Sequence, residues 1–358
     1  MAANKKFFDE LQEHSQIKLR ILGDFLVPWA SKLGAKVRGR GQSQIWYLDG
    51  FAGPGRYKDG SNGSPIVGAN RALQVLSKKE GHILGCINVE KHRSKFRLLQ
   101  DSLAGFRQRG IPIHNIHGSF SEEIARITKL IGERSPLLAF VDPFGVAPLD
   151  FDLMRPLLSR PGEMDLIMTF NHRAIPRLRK DHPDLILRAI GSSDMRLLTH
   201  EPAAIIDELK QNLKEVGRFK EVVSYGVRSA KGHAPKYHLL MASRNYEAFE
   251  LLNDIVFAAE DKLEWDDSSA DLQKAFFDLF DSESERQELV KRILEYGRSH
   301  KRTTREKIRE HIVMAFWLGW RLGDINRAVK FLIDTGHIRK VGVGKIDTVQ
   351  LEFTSTAI

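Results

Sequence analysis

The sequence predicts an open α/β sheet, doubly wound by helices, followed by a small module of three helices and a hairpin. Three observations carry that reading. Apolar runs of strand length recur at 45–49, 83–89, 113–116, 137–141 and 164–170, with helical patterns between them. Such alternation marks parallel strands joined by crossover helices. The first and fourth runs each end in an acid followed by a tight turn, Asp49-Gly50-Phe51-Ala52-Gly53-Pro54-Gly55 and Asp142-Pro143-Phe144-Gly145. Open α/β sheets bind ligands at that carboxyl edge. The third observation is a change of pattern after an acidic, serine-containing stretch at 278–284, which reads as a linker.

Length and charge bound the rest. The chain has 358 residues, 42% hydrophobic and 28% charged, enough for one large core and a second small one. Domains are expected at 1–280 and 285–358. A formal net charge of +9 points to a polyanionic partner, and nucleic acid is the expected one. Cys86 is the single cysteine and sits in an apolar run, so it reads as a buried small hydrophobe. It can build no intramolecular disulfide and no Cys-based zinc or iron–sulfur site, and no metal is expected. The first 16 residues are polar and mixed in charge, and no apolar run approaches the ~20 residues of a membrane span. A cytoplasmic protein without membrane association is expected.

Taken in order, residues 7–33 carry Ile17, Leu19, Ile21, Leu22, Phe25 and Leu26 at helical spacing. His14 and Lys18 stand four apart on one helix face, which is either solvated or the lining of a ligand pocket. In the first turn, Gly53 and Gly55 permit positive φ and close backbone approach, and Pro54 stiffens the bend. Three readings compete for this loop. A phosphate cradle needs Lys-Ser or Lys-Thr after the last glycine, and Arg56-Tyr57 follows instead. A dinucleotide loop needs G-x-G-x-x-G, and Lys58 stands where the third glycine would. The remaining reading is the first loop of a Rossmann-like methyltransferase, where an acid precedes the glycines. A carboxylate there suits S-adenosylmethionine, which carries an ammonium and a sulfonium and no phosphate.

A turn-rich loop at 59–65 precedes a helix at 65–78. The second strand ends in Glu90, placed to accept hydrogen bonds from ribose hydroxyls. After a helix at 91–106 and the third strand come Ser119 and Phe120, which either meet an adenine or belong to a plain helix cap. Ser121-Glu122-Glu123 opens the next helix with N-cap chemistry. The fifth strand ends at Asn171. Residues 172–216, with Arg173, Arg177, Arg179, Lys180 and Arg188, form a basic lid or substrate-binding insertion. Strands at 222–227 and 237–241 close the sheet as an antiparallel pair around a loop at 229–235, and a helix at 246–262 follows. Beyond the linker, helices at 286–296, 304–316 and 324–335 precede a hairpin of 338–341 and 349–353 with a Gly342/Gly344 turn. That is the pattern of a winged helix-turn-helix domain. Arg327 and Lys330 on its third helix, with Arg339, Lys340 and Lys345 on its hairpin, suit phosphate contacts. Such modules also dock proteins.

Asp142, Pro143 and Phe144 suggest the chemistry. The lone pair of an exocyclic base amine is delocalised into the ring and must be localised before it attacks a sulfonium methyl in line. A carboxylate at Asp142 and a peptide carbonyl near Pro143 would accept the two N–H protons. An aromatic at Phe144 would stack on the extruded base.

The Asp49 to Gly55 loop, Gly63-Ser64-Pro65 and Phe140-Val141-Asp142-Pro143-Phe144-Gly145 together resemble the three-Cys-motif partner (TcmP) family, over roughly residues 10–280. The tail resembles the winged-helix domain often attached to that family. The resemblance implies a class I S-adenosylmethionine-dependent methyltransferase fold. It also implies a partner protein bearing three cysteines and similar to a radical enzyme. Asp-Pro-Phe-Gly also resembles the catalytic motif of tRNA guanine-N2 dimethyltransferases and, more loosely, the Asp-Pro-Pro-Tyr motif of adenine-N6 enzymes, from which Phe144 and Gly145 depart. His14 and Lys18 are similar to an N-terminal cofactor motif of adenine-N6 enzymes acting on ribosomal RNA.

The expected cofactor site is therefore Asp49, Phe51, Ala52, Gly53, Gly55, Glu90, Ser119, Phe120 and Asp142, with His14 and Lys18. The leading expectation is methylation of an amino group in RNA or DNA. A methyltransferase fold kept as a binding platform for nucleic acid or a partner protein is the alternative. A nicotinamide-dependent oxidoreductase lacks its third glycine.

Overall fold

A computed structural model describes residues 13–38, 44–228, 234–266, 283–342, 344–345 and 347–354. Most of the expected linker, and residues 229–233 of the expected loop, lie outside these. The chain forms two compact units, Met1–Asn245 and Tyr246–Ile358.

The first unit is built on seven strands: β1 (Gln44–Asp49), β2 (Ile83–Glu90), β3 (Ile113–His117), β4 (Leu137–Val141), β5 (Met164–Phe170), β6 (Glu221–Val227) and β7 (Tyr237–Ser243). Their order across the sheet is β3-β2-β1-β4-β5-β7-β6. β1 to β5 are parallel, and β7 runs antiparallel to β5 and β6. This is a Rossmann-like doubly wound sheet whose last strand pair is a reversed hairpin.

Strand alternation decides what each edge residue faces. Trp46 and Leu48 of β1, Leu137, Ala139 and Val141 of β4, Phe170 of β5 and Leu240 of β7 all point into one apolar cluster. That cluster is closed by α4 (Ile124–Ile131), α5 (Phe151–Leu158), α7 (Pro183–Ile190) and α8 (Pro202–Gly217). The alternate residues Tyr47, Asp49, Phe140 and Tyr237 therefore turn to the opposite face. There α1 (Glu13–Arg38) packs on β1 and on α2 (Ser64–Ser77), and α2 packs on α3 (Arg93–Gln108). Gly68 of α2 has no room for a side chain, because an added Cβ would lie 2.4 Å from the Tyr47 ring. Cys86 is fully buried, as its apolar setting predicts.

Two expectations are corrected here. The segment 172–216, expected as a lid or a substrate-binding insertion, is not a lid. Its helices α6 (Ile175–Asp181), α7 and α8 send Leu178, Ile186, Ile190, Ile205, Leu209 and Leu213 into the core. Basic residues on the outer faces of covering helices look like a charged insertion when read in one dimension. Nor does Ser121 cap a helix: residues 121–123 are a turn held by Glu122 and Glu123 amides donating to the Ser119 carbonyl, and the Ser121 hydroxyl is buried without a partner.

The second unit contains α9 (Tyr246–Asp266), α10 (Glu283–Ser299), β8 (Arg302–Thr303), α11 (Arg305–Ala315), α12 (Leu322–Asp334), β9 (Ile338–Val341) and β10 (Gln350–Phe353). The three strands form an antiparallel sheet ordered β8-β10-β9. β8 is too short to leave a sequence pattern. The division falls after Asn245, so α9 goes with the C-terminal unit. Asn253 explains why: fully buried, its amide donates to the Trp320 carbonyl at 2.9 Å and accepts the Leu318 N–H at 3.2 Å. Asp254 caps Leu322 at 3.0 Å in the same way.

Candidate active site

β1 and β4 are adjacent and parallel, with Asp49 opposite Phe140, so the Asp49 loop and the Asp142 loop leave the same edge of the sheet side by side. The Gly50 N–H donates to the Phe140 carbonyl at 2.9 Å and ties the two loops together. Across β1, the Ala52 N–H donates to the Val89 carbonyl at 2.9 Å. The glycine turn is thus anchored to both flanking strands, and Gly53 and Gly55 adopt φ of 65° and 84°. A Cβ on Gly55 would meet Ser102 at 3.0 Å, and one on Gly63 would meet the Gly55 carbonyl oxygen at 2.8 Å. This cradle is closed to larger residues.

Asp49 is completely buried at its floor. Its carboxylate accepts from the Phe51 N–H at 3.1 Å and the Tyr47 hydroxyl at 3.2 Å, and the Ser64 hydroxyl at the start of α2 also bonds to it. Burial outweighs these bonds and, with the Asp142 charge nearby, pushes its carboxyl up to about 7. Burial raises the structural acid Asp165 too, to about 6, so it is the place of Asp49 beside the glycine turn that marks it as a site residue.

Lys18 reaches across from α1 and places its Nζ 2.5 Å from Asp142 Oδ2, with only 6% of the residue exposed. Of the two readings of its helix face, the solvated one is therefore overturned for Lys18. The side chain of His14 lies outside the described residues. The Lys18 ammonium is also 5.6 Å from the Tyr237 ring. Tyr237 and Tyr57 both feel the Asp142 charge. Burial above all, and that charge second, raises the Tyr57 hydroxyl to about 12 and the Tyr237 hydroxyl further. Tyr57, Tyr237 and Tyr47 escape sequence reasoning. The only available signal is that aromatics directly follow the glycine turn and open the reversed strand.

The remaining expected residues separate. Glu90 is buried at the end of β2, and its Oε1 accepts the His92 N–H at 2.6 Å. Phe51 is half-buried and packs on Phe120, ring centroids 5.6 Å apart. Phe120 is 2% exposed and lies under Gly50, where an added Cβ would touch it at 3.0 Å. It supports the loop from below. Ser119 is half-buried and its carbonyl accepts from the following turn. Phe144, by contrast, is 57% exposed beside Asp142. Among the described residues, no three His, Cys, Asp or Glu side chains are placed to hold a metal ion. None of the helices described is long and apolar enough to cross a membrane.

In the C-terminal unit, Arg327 pairs with Asp324, and Arg339 shares Glu352 with Arg302. Lys330, Lys340 and Lys345 are exposed. Arg305, Arg327, Lys330 and Lys340 line a cavity of about 350 Å³ beside α12 and β9.

Neither a protein-family model nor a curated protein sequence matches the chain. Solved structures that resemble it include a fibrillarin pre-rRNA processing protein from Methanococcus jannaschii, at 15% identity and TM-score 0.34, covering 56% of this chain and 66% of that one. Another is the O-methyltransferase TomG of tomaymycin synthesis from Streptomyces achromogenes, solved with S-adenosylmethionine, at 14% identity and TM-score 0.34, covering 63% and 80%. A third is an O-methyltransferase from Bacillus cereus in complex with S-adenosylhomocysteine, at 10% identity and TM-score 0.32, covering 62% and 80%. At such scores the likeness adds nothing to what the strand order already gives.

Proposed function

We propose that the chain is an S-adenosylmethionine-dependent methyltransferase acting on an exocyclic amino nitrogen of a base in RNA or DNA. The observation that carries this is the pairing of Asp49 and Asp142 on one face of the sheet, at the carboxyl ends of its two central strands, around a glycine cradle. The strand order, with its reversed final hairpin, is that of class I methyltransferases.

The donor set fits the cofactor. Gly53 and Gly55 keep the cradle open, the Asp49 carboxylate suits the methionine ammonium, and the Lys18 ammonium suits its carboxylate. Glu90 suits the ribose hydroxyls. When bound, the cofactor supplies an electrophilic methyl on sulfur. Asp142, fixed by Lys18, accepts an N–H of the target amine and localises its lone pair. That same carboxylate would take up the surplus proton of the amine once it is methylated. Phe144, exposed beside it, stacks on the base and holds it for attack. The C-terminal unit reads as a winged helix that binds nucleic acid through Lys330, Lys340 and Lys345, with a three-cysteine protein as a further partner.

Incubation with labelled S-adenosylmethionine and total tRNA, rRNA and DNA, followed by nucleoside mass spectrometry, tests the reading. A base methylated on its amine, lost in Asp142→Ala, is expected. Calorimetry showing no cofactor binding would end it, and cofactor binding without turnover on any nucleic acid would favour the binding-platform alternative.

A further inference from the structure

The same sheet edge carries a second cluster, on the face away from Lys18. The His172 ring, just past β5, meets the His238 ring of β7 edge-on with centroids 4.8 Å apart. Both Nδ1 atoms are buried without a hydrogen-bond partner. Gly226, the partner of His238 across β6, makes room for Pro235, which an added Cβ would meet at 2.8 Å. Arg173 follows directly. Its guanidinium donates to the carbonyls of Ala234 and Pro235, at 3.0 and 2.9 Å, so its charge is anchored on backbone and not cancelled by an acid there. The other charges acting on His238 come from Arg228 at the end of β6 and Lys210 on α8, both positive. Lys210 also has Asp207 at 3.3 Å. Arg173 and Arg228 are exposed.

Arg173, held on backbone carbonyls, and the exposed Arg228 give this edge a positive field, and two orphaned imidazole nitrogens lie beside it, a setting that favours an anion. β7 lies two strand spacings from β4, about 10 Å. A strand crossing the edge with one base lowered onto Asp142 would run its backbone past these residues.

We infer that His172, Arg173, Lys210, Arg228 and His238 form a phosphodiester-binding track that grips the backbone of a single-stranded nucleic acid beside its target base. This rests on the proposed substrate class, and it assigns to the methyltransferase unit a phosphate grip of its own, separate from the C-terminal unit.

The test uses the full chain in a Lys330→Glu/Lys340→Glu/Lys345→Glu background, which reverses the three lysines assigned to the C-terminal contribution. Binding of a fluorescent single-stranded oligonucleotide is titrated at several salt concentrations, with and without Lys210→Glu/Arg228→Glu. Each phosphate contact on a single strand contributes about 0.7 to the slope of log K against log salt. The charge reversals should lower that slope by about 1.4 and weaken binding at least tenfold at 0.1 M salt. An unchanged slope and affinity would overturn the proposal. So would a loss confined to inorganic phosphate binding, because the track would then serve a free anion. S-adenosylmethionine binding, measured on the same variants by calorimetry, should be unchanged. A chain that never binds the cofactor yet shows the slope change would sink the methyltransferase reading and leave the track standing.

Discussion

Lys18 and Asp142, 124 residues apart, are joined through Nζ and Oδ2 at 2.5 Å in a place where little water reaches either. α1 is thereby fastened to the carboxyl end of β4, and the acid assigned to the methyl acceptor is held in one position. Removing one member of a buried pair strands the other's charge, at about 3–5 kcal/mol, while removing both costs far less. Lys18→Met should therefore lower the unfolding free energy by about 3 kcal/mol. The Lys18→Met/Asp142→Asn chain should recover much of it. Denaturant titration of the three variants checks this, and additive losses would show that the contact contributes no coupling.

Asp49 should make stability and cofactor binding respond to pH in opposite senses. Its folded carboxyl is raised by burial to about 7, against 3.8 as the ordinary value. Between those values the folded chain binds the extra proton, so stability falls as pH rises from about 4 to about 7. Asp49→Asn should raise the melting temperature at pH 8 and flatten that slope. It should also abolish S-adenosylmethionine binding, which in the wild type weakens as pH drops below 7. Melting curves and calorimetry across that range read both effects.

The glycines near the cradle should differ sharply. Gly60 has φ +84° but open space around it, so Gly60→Ala should cost only the left-handed strain, about 1–2 kcal/mol. Gly63→Ala brings a Cβ to 2.8 Å of the Gly55 carbonyl and threatens the 2.8 Å bond from the Gly63 N–H to that same oxygen. It should distort the cradle and weaken cofactor binding at least tenfold, whereas Gly60→Ala leaves binding intact. Equal affinities by calorimetry would refute this.

Phe144→Ala should separate substrate handling from stability. The side chain is 57% exposed, so its loss should move the unfolding free energy by less than about 0.5 kcal/mol. Stacking on a base is worth about 1–3 kcal/mol. Methylation efficiency on nucleic acid should therefore drop about 10- to 100-fold with cofactor affinity unchanged.

Much of the first unit was legible in the sequence because parallel strands are buried on both faces and so read as continuous apolar runs. The acids at the ends of β1, β2 and β4 were legible for the same reason: each interrupts an apolar run at its carboxyl end. Residues 172–216 read as a possible lid because helix periodicity there is masked by basic residues on the outer surface. α9 gave no hint of its allegiance, since Asn253 and Asp254 look like ordinary polar positions until Trp320 and Leu322 are beside them.

The sequence by itself determined the strand and helix alternation, the glycine cradle and the acids at the strand ends. These are local properties of hydrophobic period and backbone freedom. Only the tertiary structure decided which residues meet: that Lys18 answers Asp142, that Phe120 lies beneath the loop, and that the reversal of β7 brings Tyr237 and His238 to the edge where β5 ends. Those contacts join parts of the chain far apart in sequence, and neither period nor propensity carries information across such a gap.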